Sequence, residues 1–238
     1  MVTITTAATV HLVPVLEVVP FSFSTRPHPP GPAREHAAAW DVYFRDSLAD
    51  GGYTGVTPLV SGEFFVPARA LIGHPLLEHL IRETLDGSGL PGFPLHADDL
   101  DTTLSHADRI SLLAGGLALV IDGEVCLAPS CCGDLGNITG WETTIAERPA
   151  HGEVWVGHPA LAIAWRDGCV TVTEQWEYPP APEHLLEITM PAAGLAAAVA
   201  AARTELTGFH TDLIAIVARL LGDTAQAALV AACLVGAR

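Results

Sequence analysis

Residues 117–128 read Leu-Ala-Leu-Val-Ile-Asp-Gly-Glu-Val-Cys-Leu-Ala, which is two apolar runs joined by an Asp-Gly pair. Asp-Gly between apolar runs is a strong hairpin signal, because a type I′ turn needs two residues that tolerate positive φ angles. Residues 161–176 repeat this arrangement around Asp167-Gly168. The sequence therefore predicts two antiparallel hairpins, and the other segments are interpreted around them.

The segments outside the hairpins carry strand, loop and helix patterns. Alternating Val and Thr predicts strands, clustered prolines predict a loop, and alanine-rich stretches ended by glycine predict helices. The predicted elements are strands at 2–12, 15–24 and 62–70, loops at 26–34 and 86–108, helices at 35–49, 71–85, 192–206 and 211–221, and a last helix that ends near Gly236. Gly208 is expected to cap the helix at 192–206.

Runs of hairpin strands followed by helices are typical of α+β proteins. We therefore expect a mostly antiparallel sheet built from hairpins, with flanking helices and a helical C-terminal section. A chain of 238 residues is long enough for one large domain or two small ones. We expect a single α+β domain over residues 1–238, with 1–110 and 111–238 as its halves if it divides, because no segment has the composition of a linker.

The charge of the chain limits its partners. There are 27 Asp and Glu residues against 11 basic residues, all of them arginine, and the formal net charge is −16. Most of the acidic excess lies in residues 61–190. Nucleic-acid binding needs cation-dense surfaces, so this charge argues against it. An acidic face suits a basic protein or peptide, although acidity also serves solubility.

Cysteine usage and the apolar runs indicate the compartment. The five cysteines are an odd number, two are adjacent, and no secretory leader precedes them. Pro, His, Arg or Glu interrupts each apolar run before it reaches the roughly 20 residues of a membrane span. We therefore expect a cytoplasmic bacterial protein with reduced thiols and no membrane partner. The absence of lysine is typical of a GC-rich genome and excludes lysine-dependent chemistry.

Cys131, Cys132 and His158 are the residues from which an enzyme site would be built. Zn²⁺ prefers such ligands, and a thiol hydrolase needs a cysteine beside a histidine base. Their spacing is poor, since adjacent cysteines rarely bind one tetrahedral ion and the chain has no C-x-x-C pair. Small buried thiols under a tight turn are the simpler interpretation, so we assign no catalytic residue, metal ligand or cofactor.

Tryptophan is concentrated in the same part of the chain. Four of the five tryptophans are Trp141, Trp155, Trp165 and Trp176. Tryptophan is common at binding hot spots and is also an ordinary core anchor. Because Trp155 lies between two valines, as in a half-buried strand, we expect at least one of these side chains to be exposed in a groove.

Two short motifs resemble those of bacterial immunity-type proteins. They are Ser130-Cys131-Cys132-Gly133-Asp134-Leu135, which leads to Trp141, and Trp155-Val156-Gly157-His158-Pro159. Residues 117–177, about a quarter of the chain, are similar to the broad SUKH group and to other neutralisers of polymorphic toxins. The resemblance implies a small, acidic, non-catalytic α+β binder that blocks a protein toxin without a cofactor.

These observations favour a non-enzymatic protein- or peptide-binding protein, either an immunity-type neutraliser or a peptide-binding helper of a biosynthetic cluster. A peptide can add to an exposed sheet edge as a further strand. The alternative is a thiol- or zinc-dependent enzyme that uses Cys131, Cys132 and His158, and a homodimer is left open. The residues expected to contact the partner are Cys131, Cys132, Gly133, Asp134, Trp141, Trp155, His158 and, in the acidic loop, Asp98, Asp99 and Asp101.

Overall fold

The computed structural model describes residues 2–3, 9–33, 35–88, 110–129, 132–158, 160–175 and 186–236. The strands are β1 (Val2–Thr3), β2 (Val10–Glu17), β3 (Phe65–Pro67), β4 (Gly115–Ile121), β5 (Glu124–Leu127), β6 (Gly152–Val154), β7 (Leu161–Arg166), β8 (Cys169–Glu174) and β9 (Glu187–Pro191). The helices are α1 (Ala37–Asp50), α2 (Pro75–Gly87), α3 (Ile138–Glu147), α4 (Ala192–Leu221) and α5 (Thr224–Leu234). The α+β class predicted from the sequence is confirmed.

The chain divides into two compact units, and each gathers separate stretches of sequence. The first unit comprises residues 1–14 and 114–206, and the second comprises residues 15–113 and 207–238. Strand β2 and helix α4 each contribute residues to both units. Neither unit is therefore a contiguous half of the sequence.

The first unit contains a five-stranded sheet in the order β1, β9, β8, β7, β6. Strands β1 and β9 pair in parallel, and the other neighbours pair antiparallel. The β7–β8 hairpin closes between Arg166 and Cys169, with φ angles of 51° at Asp167 and 78° at Gly168. Two consecutive positive φ angles are the requirement of a type I′ turn, so the predicted hairpin is confirmed.

The other predicted hairpin, β4–β5, is also present. Its turn residues Asp122 and Gly123 have φ angles of 52° and 85°. The Asp122 carboxylate accepts a hydrogen bond from the backbone N–H of Thr9 at 2.8 Å, and its own backbone N–H donates to the Thr9 carbonyl at 3.0 Å. All seven residues of β4 are buried, as expected for a continuous apolar run.

A four-stranded sheet has the order β3, β2, β4, β5, and its strand β2 corrects the N-terminal prediction. The strand continues through Pro14, because the pairs that β2 makes with β3 involve Val15 to Glu17 and do not need an N–H from residue 14. The strand predicted at 15–24 is wrong beyond Glu17, since Pro20 begins a 3₁₀ turn, where its fixed φ is favourable.

The second unit packs helices around a core that includes Phe44, Leu48, Ile81 and Phe209. Helix α2 begins at Pro75, and the Nδ1 atom of His74 accepts a hydrogen bond from the backbone N–H of Leu76 at 3.1 Å. The strand predicted at 62–70 is shorter than expected. Only Phe65–Pro67 is extended, and residues 68–71 form a 3₁₀ turn before α2.

Helix α4 is continuous over 30 residues, so the predicted cap at Gly208 is wrong. Glycine in a helix interior costs about 1 kcal/mol relative to alanine. The alanine-rich sequence around it favours helix, and the neighbouring Leu206, Phe209 and Leu213 are buried, which offsets that cost. The last predicted helix is confirmed as α5. Among the helices that the structure describes, none combines the length and the apolar character needed to cross a bilayer.

Candidate functional site

Cys132, Gly133 and Asp134 lie against the start of strand β4 in the first unit. The carbonyl of Gly133 accepts a hydrogen bond from the backbone N–H of Gly115 at 3.1 Å, and Asp134 forms an antiparallel bridge with Ala114. Gly133 is buried, whereas Cys132 is exposed and has a φ of 66°. This segment is therefore held by backbone pairing, and it presents the Cys132 thiol to solvent.

Asp134 closes the short 3₁₀ turn of residues 135–137 through a reciprocal pair of hydrogen bonds. Its backbone N–H donates to Oδ1 of Asn137 at 3.0 Å, and its carboxylate accepts from the backbone N–H of Asn137. Burial raises the pKa of the Asp134 carboxyl, and the backbone N–H groups of Gly136 and Asn137 oppose that effect. The side chain is thus a half-buried cap as well as a negative charge near the surface.

Two substitutions separate these roles. Asp134→Ala removes the cap and is expected to lower the free energy of unfolding by about 1 kcal/mol. Asp134→Asn keeps an oxygen that can accept the capping hydrogen bond. It removes the negative charge of a carboxyl group whose pKa is raised in the folded state. A raised carboxyl pKa means that the charge disfavours folding once the pH exceeds the folded pKa. The Asn variant should therefore be at least as stable as the parent at pH 7, as urea unfolding would measure. A loss as large as that of the Ala variant would contradict this account.

Trp141 follows on helix α3 and is fully buried. Its indole N–H is also buried and has no hydrogen-bond partner among the residues that the structure describes. Glycine at the neighbouring position lets this helix lie close to strand β6, since a Cβ atom at Gly140 would be 3.6 Å from Val154 Cγ1 and 4.0 Å from the backbone N of Trp155. Trp141 therefore anchors the core beneath the site, and its side chain has no surface with which to contact a partner.

The next residue of α3, Glu142, pairs with Arg203 of helix α4 within the first unit. The guanidinium donates from Nε at 2.6 Å and from Nη2 at 2.5 Å to the two carboxylate oxygens. The hydrogen bond from Arg203 holds the pKa of Glu142 below its usual value. The bidentate geometry fixes α3 against α4 and thereby the position of the core beneath β6.

This pair predicts a pH dependence. A carboxyl with a lowered folded pKa contributes stability above its unfolded pKa of about 4.3, and that stability is lost as the pH falls through the folded pKa. Glu142→Gln should therefore be less stable than the parent at pH 7, and the difference should shrink toward pH 3. The measurement is urea unfolding at both values, with Glu147→Gln, which removes an exposed carboxylate on the same helix, as the matched control. An unchanged difference at pH 3 would argue against the ion pair.

Among the tryptophans of this region that the structure describes, Trp155 is the exposed one. Its side chain is 38% exposed, and its ring lies edge-on to the ring of His158, with centroids 4.6 Å apart and an interplanar angle of 86°. Trp165, on strand β7, is half-buried under the guanidinium of Arg148 at 5.7 Å. The expectation that at least one of these tryptophans is exposed is met at Trp155.

The position of Trp155 is set by strand β6, which comes last in the order of the five-stranded sheet. This strand pairs with β7 from Gly152↔Ile163 to Val154↔Leu161, and Trp155 is the residue that follows it. Glu153, in the middle of the strand, is exposed. The residues that the structure describes therefore bring together a terminal strand, an exposed acid and an exposed Trp–His pair.

The remaining predicted site residues lie outside the described residues. Cys131, Asp98, Asp99 and Asp101 fall in ranges that the structure does not describe. Cys126, Cys132, Cys169 and Cys233 are free thiols, and burial raises the pKa of Cys126. Within the described ranges, no group of three His, Cys, Asp or Glu side chains is placed to hold a metal ion.

The sequence patterns did not predict an aromatic surface that the structure shows around Trp40. The sequence patterns predict only a loop at 26–34 and a helix at 35–49, the helix that contains Trp40. In the second unit, His28 lies 6.0 Å from the ring of Trp40. Proline-rich sequence next to a helix that carries Trp and Tyr was the available signal, because aromatic side chains are the usual surface for such segments.

Comparisons with known proteins identify no relative. No protein-family model matches the chain, and neither a curated protein nor a solved structure matches it significantly. The similarity to immunity-type proteins therefore stays a prediction.

Proposed function

We propose that this chain is a non-enzymatic protein- or peptide-binding protein, used as an immunity-type neutraliser or as a peptide-binding helper of a biosynthetic cluster. The observation that carries the proposal is the exposed side chain of Trp155, which follows terminal strand β6 and whose ring lies edge-on to the ring of His158. A large aromatic side chain left in solvent beside a terminal strand is typical of a binding hot spot.

Terminal strands supply the affinity in this mode of recognition. Backbone N–H and C=O groups on the outer side of a terminal strand can pair with an added strand, while side-chain pockets provide specificity. Strand β6 is three residues long, so it offers only a short ladder. The Trp155–His158 pair would add apolar contact to the few hydrogen bonds available.

The expected partner is basic. The chain has a net charge of −16, and Glu153 is exposed on β6 itself. Opposite charge across an interface accelerates association and discriminates against acidic partners. A peptide or protein loop that is extended, rich in Arg or Lys, and carries an apolar residue to meet Trp155 fits these features.

The experiment is selection from a displayed library of random peptides against the immobilised full-length chain, at two salt concentrations. Basic peptides should be enriched, and their affinity should fall at the higher salt because exposed charges are screened. N-methylation of alternate backbone amides in the best peptide should abolish binding, because it removes the strand hydrogen bonds. Enrichment of peptides without basic residues, or binding that survives N-methylation at every position, would contradict the proposal.

The charge argument has its own variant. Glu153→Lys reverses the sign of the one exposed acid on strand β6 and leaves its backbone pairing with Ala162 in place. This variant should lose affinity for the selected basic peptides. Glu147→Lys, at the exposed end of helix α3, applies the same charge change away from the strand and should have a smaller effect. Equal losses of affinity in the two variants would mean that Glu153 acts only through long-range electrostatics.

A further inference from the structure

A second aromatic surface lies in the second unit and is formed by other residues than Trp155 and His158. We call Phe21, Trp40, Tyr43 and Phe64 the aromatic platform. Its ring centroids are 5.6 Å apart for Trp40 and Tyr43, 5.7 Å for Trp40 and Phe64, and 6.2 Å for Phe21 and Phe64. These distances are those of ring contacts, so the four side chains form one continuous surface.

Residues 26–33, which we call the strap, lie on this platform without helix or strand structure. The ring of His28 stacks on Phe21 at 5.4 Å and contacts Tyr43 at 5.4 Å. The indole N–H of Trp40 donates a hydrogen bond to the carbonyl of Gly31 at 3.2 Å. This hydrogen bond and the ring contacts of His28 hold the strap on the platform.

One end of the platform is acidic and holds the arginine that precedes the first proline of the strap. Arg26 donates from Nε and Nη2 to the two carboxylate oxygens of Asp50, at 2.6 and 2.8 Å, and its Nη1 lies 3.8 Å from Asp46. Ser24 donates to the same Asp50 carboxylate at 2.7 Å. The surface therefore binds the strap at two places, the Arg26 guanidinium at the acidic end and the His28 ring and Gly31 carbonyl along the aromatic rings.

The strap covers the platform incompletely. Most of its residues are exposed, and Phe21 keeps 46% of its surface in solvent beside it. Tyr43, beneath the strap, is 5% exposed, and its hydroxyl has no hydrogen-bond partner in the part of the chain that the structure describes. The strap therefore leaves apolar area of the platform in solvent and a polar group of the platform without a hydrogen bond to any described residue. Another segment that covered this area and bonded this group would make more contacts than the strap does.

We propose that the aromatic platform is a binding site for a proline-rich segment of another protein, with an arginine before its first proline, and that the strap occupies this site in cis. The strap has the sequence chemistry of the ligand, since it places four prolines after Arg26. Its occupancy lowers the apparent affinity of the site, because only the fraction of molecules with a displaced strap can bind in trans.

The test uses a full-length variant in which residues 26–32 are replaced by a Gly/Ser linker of the same length, so that the Asp50 carboxylate is also vacated. The probe is a fluorescein-labelled peptide with the sequence of residues 24–33, and binding is followed by fluorescence anisotropy. The linker variant should bind the probe saturably, and the intact chain should bind it at least about tenfold more weakly. The same peptide with alanine in place of its prolines should not bind either protein.

Two further variants locate the binding. Trp40→Phe in the linker background keeps the aromatic area and removes the donor, so the Kd for the probe should rise about fivefold. Trp155→Ala in the same background truncates a tryptophan of the first unit and should leave the Kd unchanged. An effect of Trp155→Ala equal to that of Trp40→Phe would place the peptide at the other site and overturn the proposal.

A second route keeps the proposal testable if the linker variant does not fold. Gly31 has a φ of 77°, and a Cβ atom there would lie 2.5 Å from the ring of His36, so Gly31→Ala should loosen the strap and leave the platform intact. This variant should also bind the probe more tightly than the intact chain. Absence of probe binding to both variants would overturn the proposal. So would a dimer of the intact chain that the linker variant cannot form, because the strap would then be exchanged between copies.

Discussion

Trp141→Ala is expected to lower the free energy of unfolding by about 3–5 kcal/mol, the range for removing a large buried aromatic side chain. Trp141 is fully buried and is among the largest of the buried side chains described. The alanine would leave a cavity under helix α3, next to the Glu142–Arg203 pair that fixes this helix. Whole domains are stable by about 5–15 kcal/mol, so the variant should be close to unfolding at 37 °C.

The measurement is urea unfolding followed by far-ultraviolet circular dichroism, which does not depend on the number of tryptophans. Trp141→Phe is the matched control. Within the described ranges the indole N–H of Trp141 has no hydrogen-bond partner, so Trp141→Phe removes ring volume but no such bond, and its loss of stability should be clearly smaller. A loss below about 1 kcal/mol for the alanine variant would mean that Trp141 is not a core residue.

Trp155→Ala should have the opposite effects, a large loss of binding affinity and little change in stability. Truncation of an aromatic hot spot typically costs 2 kcal/mol or more of binding free energy, so the affinity for a peptide selected on this chain should fall about 30-fold or more. Its stability should change little. The lost contact with His158 contributes about 1 kcal/mol or less, because the pair is exposed.

Affinity for this variant is measured by titration calorimetry and stability by the same urea experiment as for Trp141. Trp155→Phe keeps an aromatic ring at the position and should retain most of the affinity. His158→Ala removes the neighbour of Trp155 and should have an intermediate effect. Binding that is unchanged in Trp155→Ala would remove the observation on which the proposed function rests.

The parts of the fold that the sequence predicted are those that depend on local chemistry. Asp122-Gly123 and Asp167-Gly168 adopt the positive φ angles that a two-residue turn demands, whatever surrounds them. The terminal helix α5 likewise follows from composition and flanking glycines. Local rules sufficed because each of these elements is specified by residues within one turn of it.

The parts that the sequence predicted wrongly depend on distant packing. Gly208 has the chemistry of a cap, but burial of its apolar neighbours keeps the helix continuous through it. Pro14 has the chemistry of a strand break, but the pairs with β3 start one residue later. In both cases a tertiary contact overrode a correct local preference.

In the candidate site, too, the sequence predicted what depends on local chemistry and not what depends on packing. Trp141 and Trp155 are the same residue type in the same tryptophan-rich stretch, and the sequence assigned both to partner contact. The structure buries one and exposes the other, because Trp141 lies on the inward side of helix α3 while Trp155 follows a terminal strand. Exposure at this level is decided by sheet order, which no local pattern encodes.

The arrangement of the two units has a consequence for how the chain is made. Residues 15–113 of the second unit leave the ribosome before residues 114–206 of the first unit, but the second unit also needs residues from 207 onward. The first unit likewise needs residues up to 206. During translation, neither unit has all of its parts until helix α4 has emerged, so folding in the order of synthesis, usual for multidomain chains, is not open to this one. A nascent chain stalled before α4 should therefore be sensitive to protease over its whole length and should depend on chaperones.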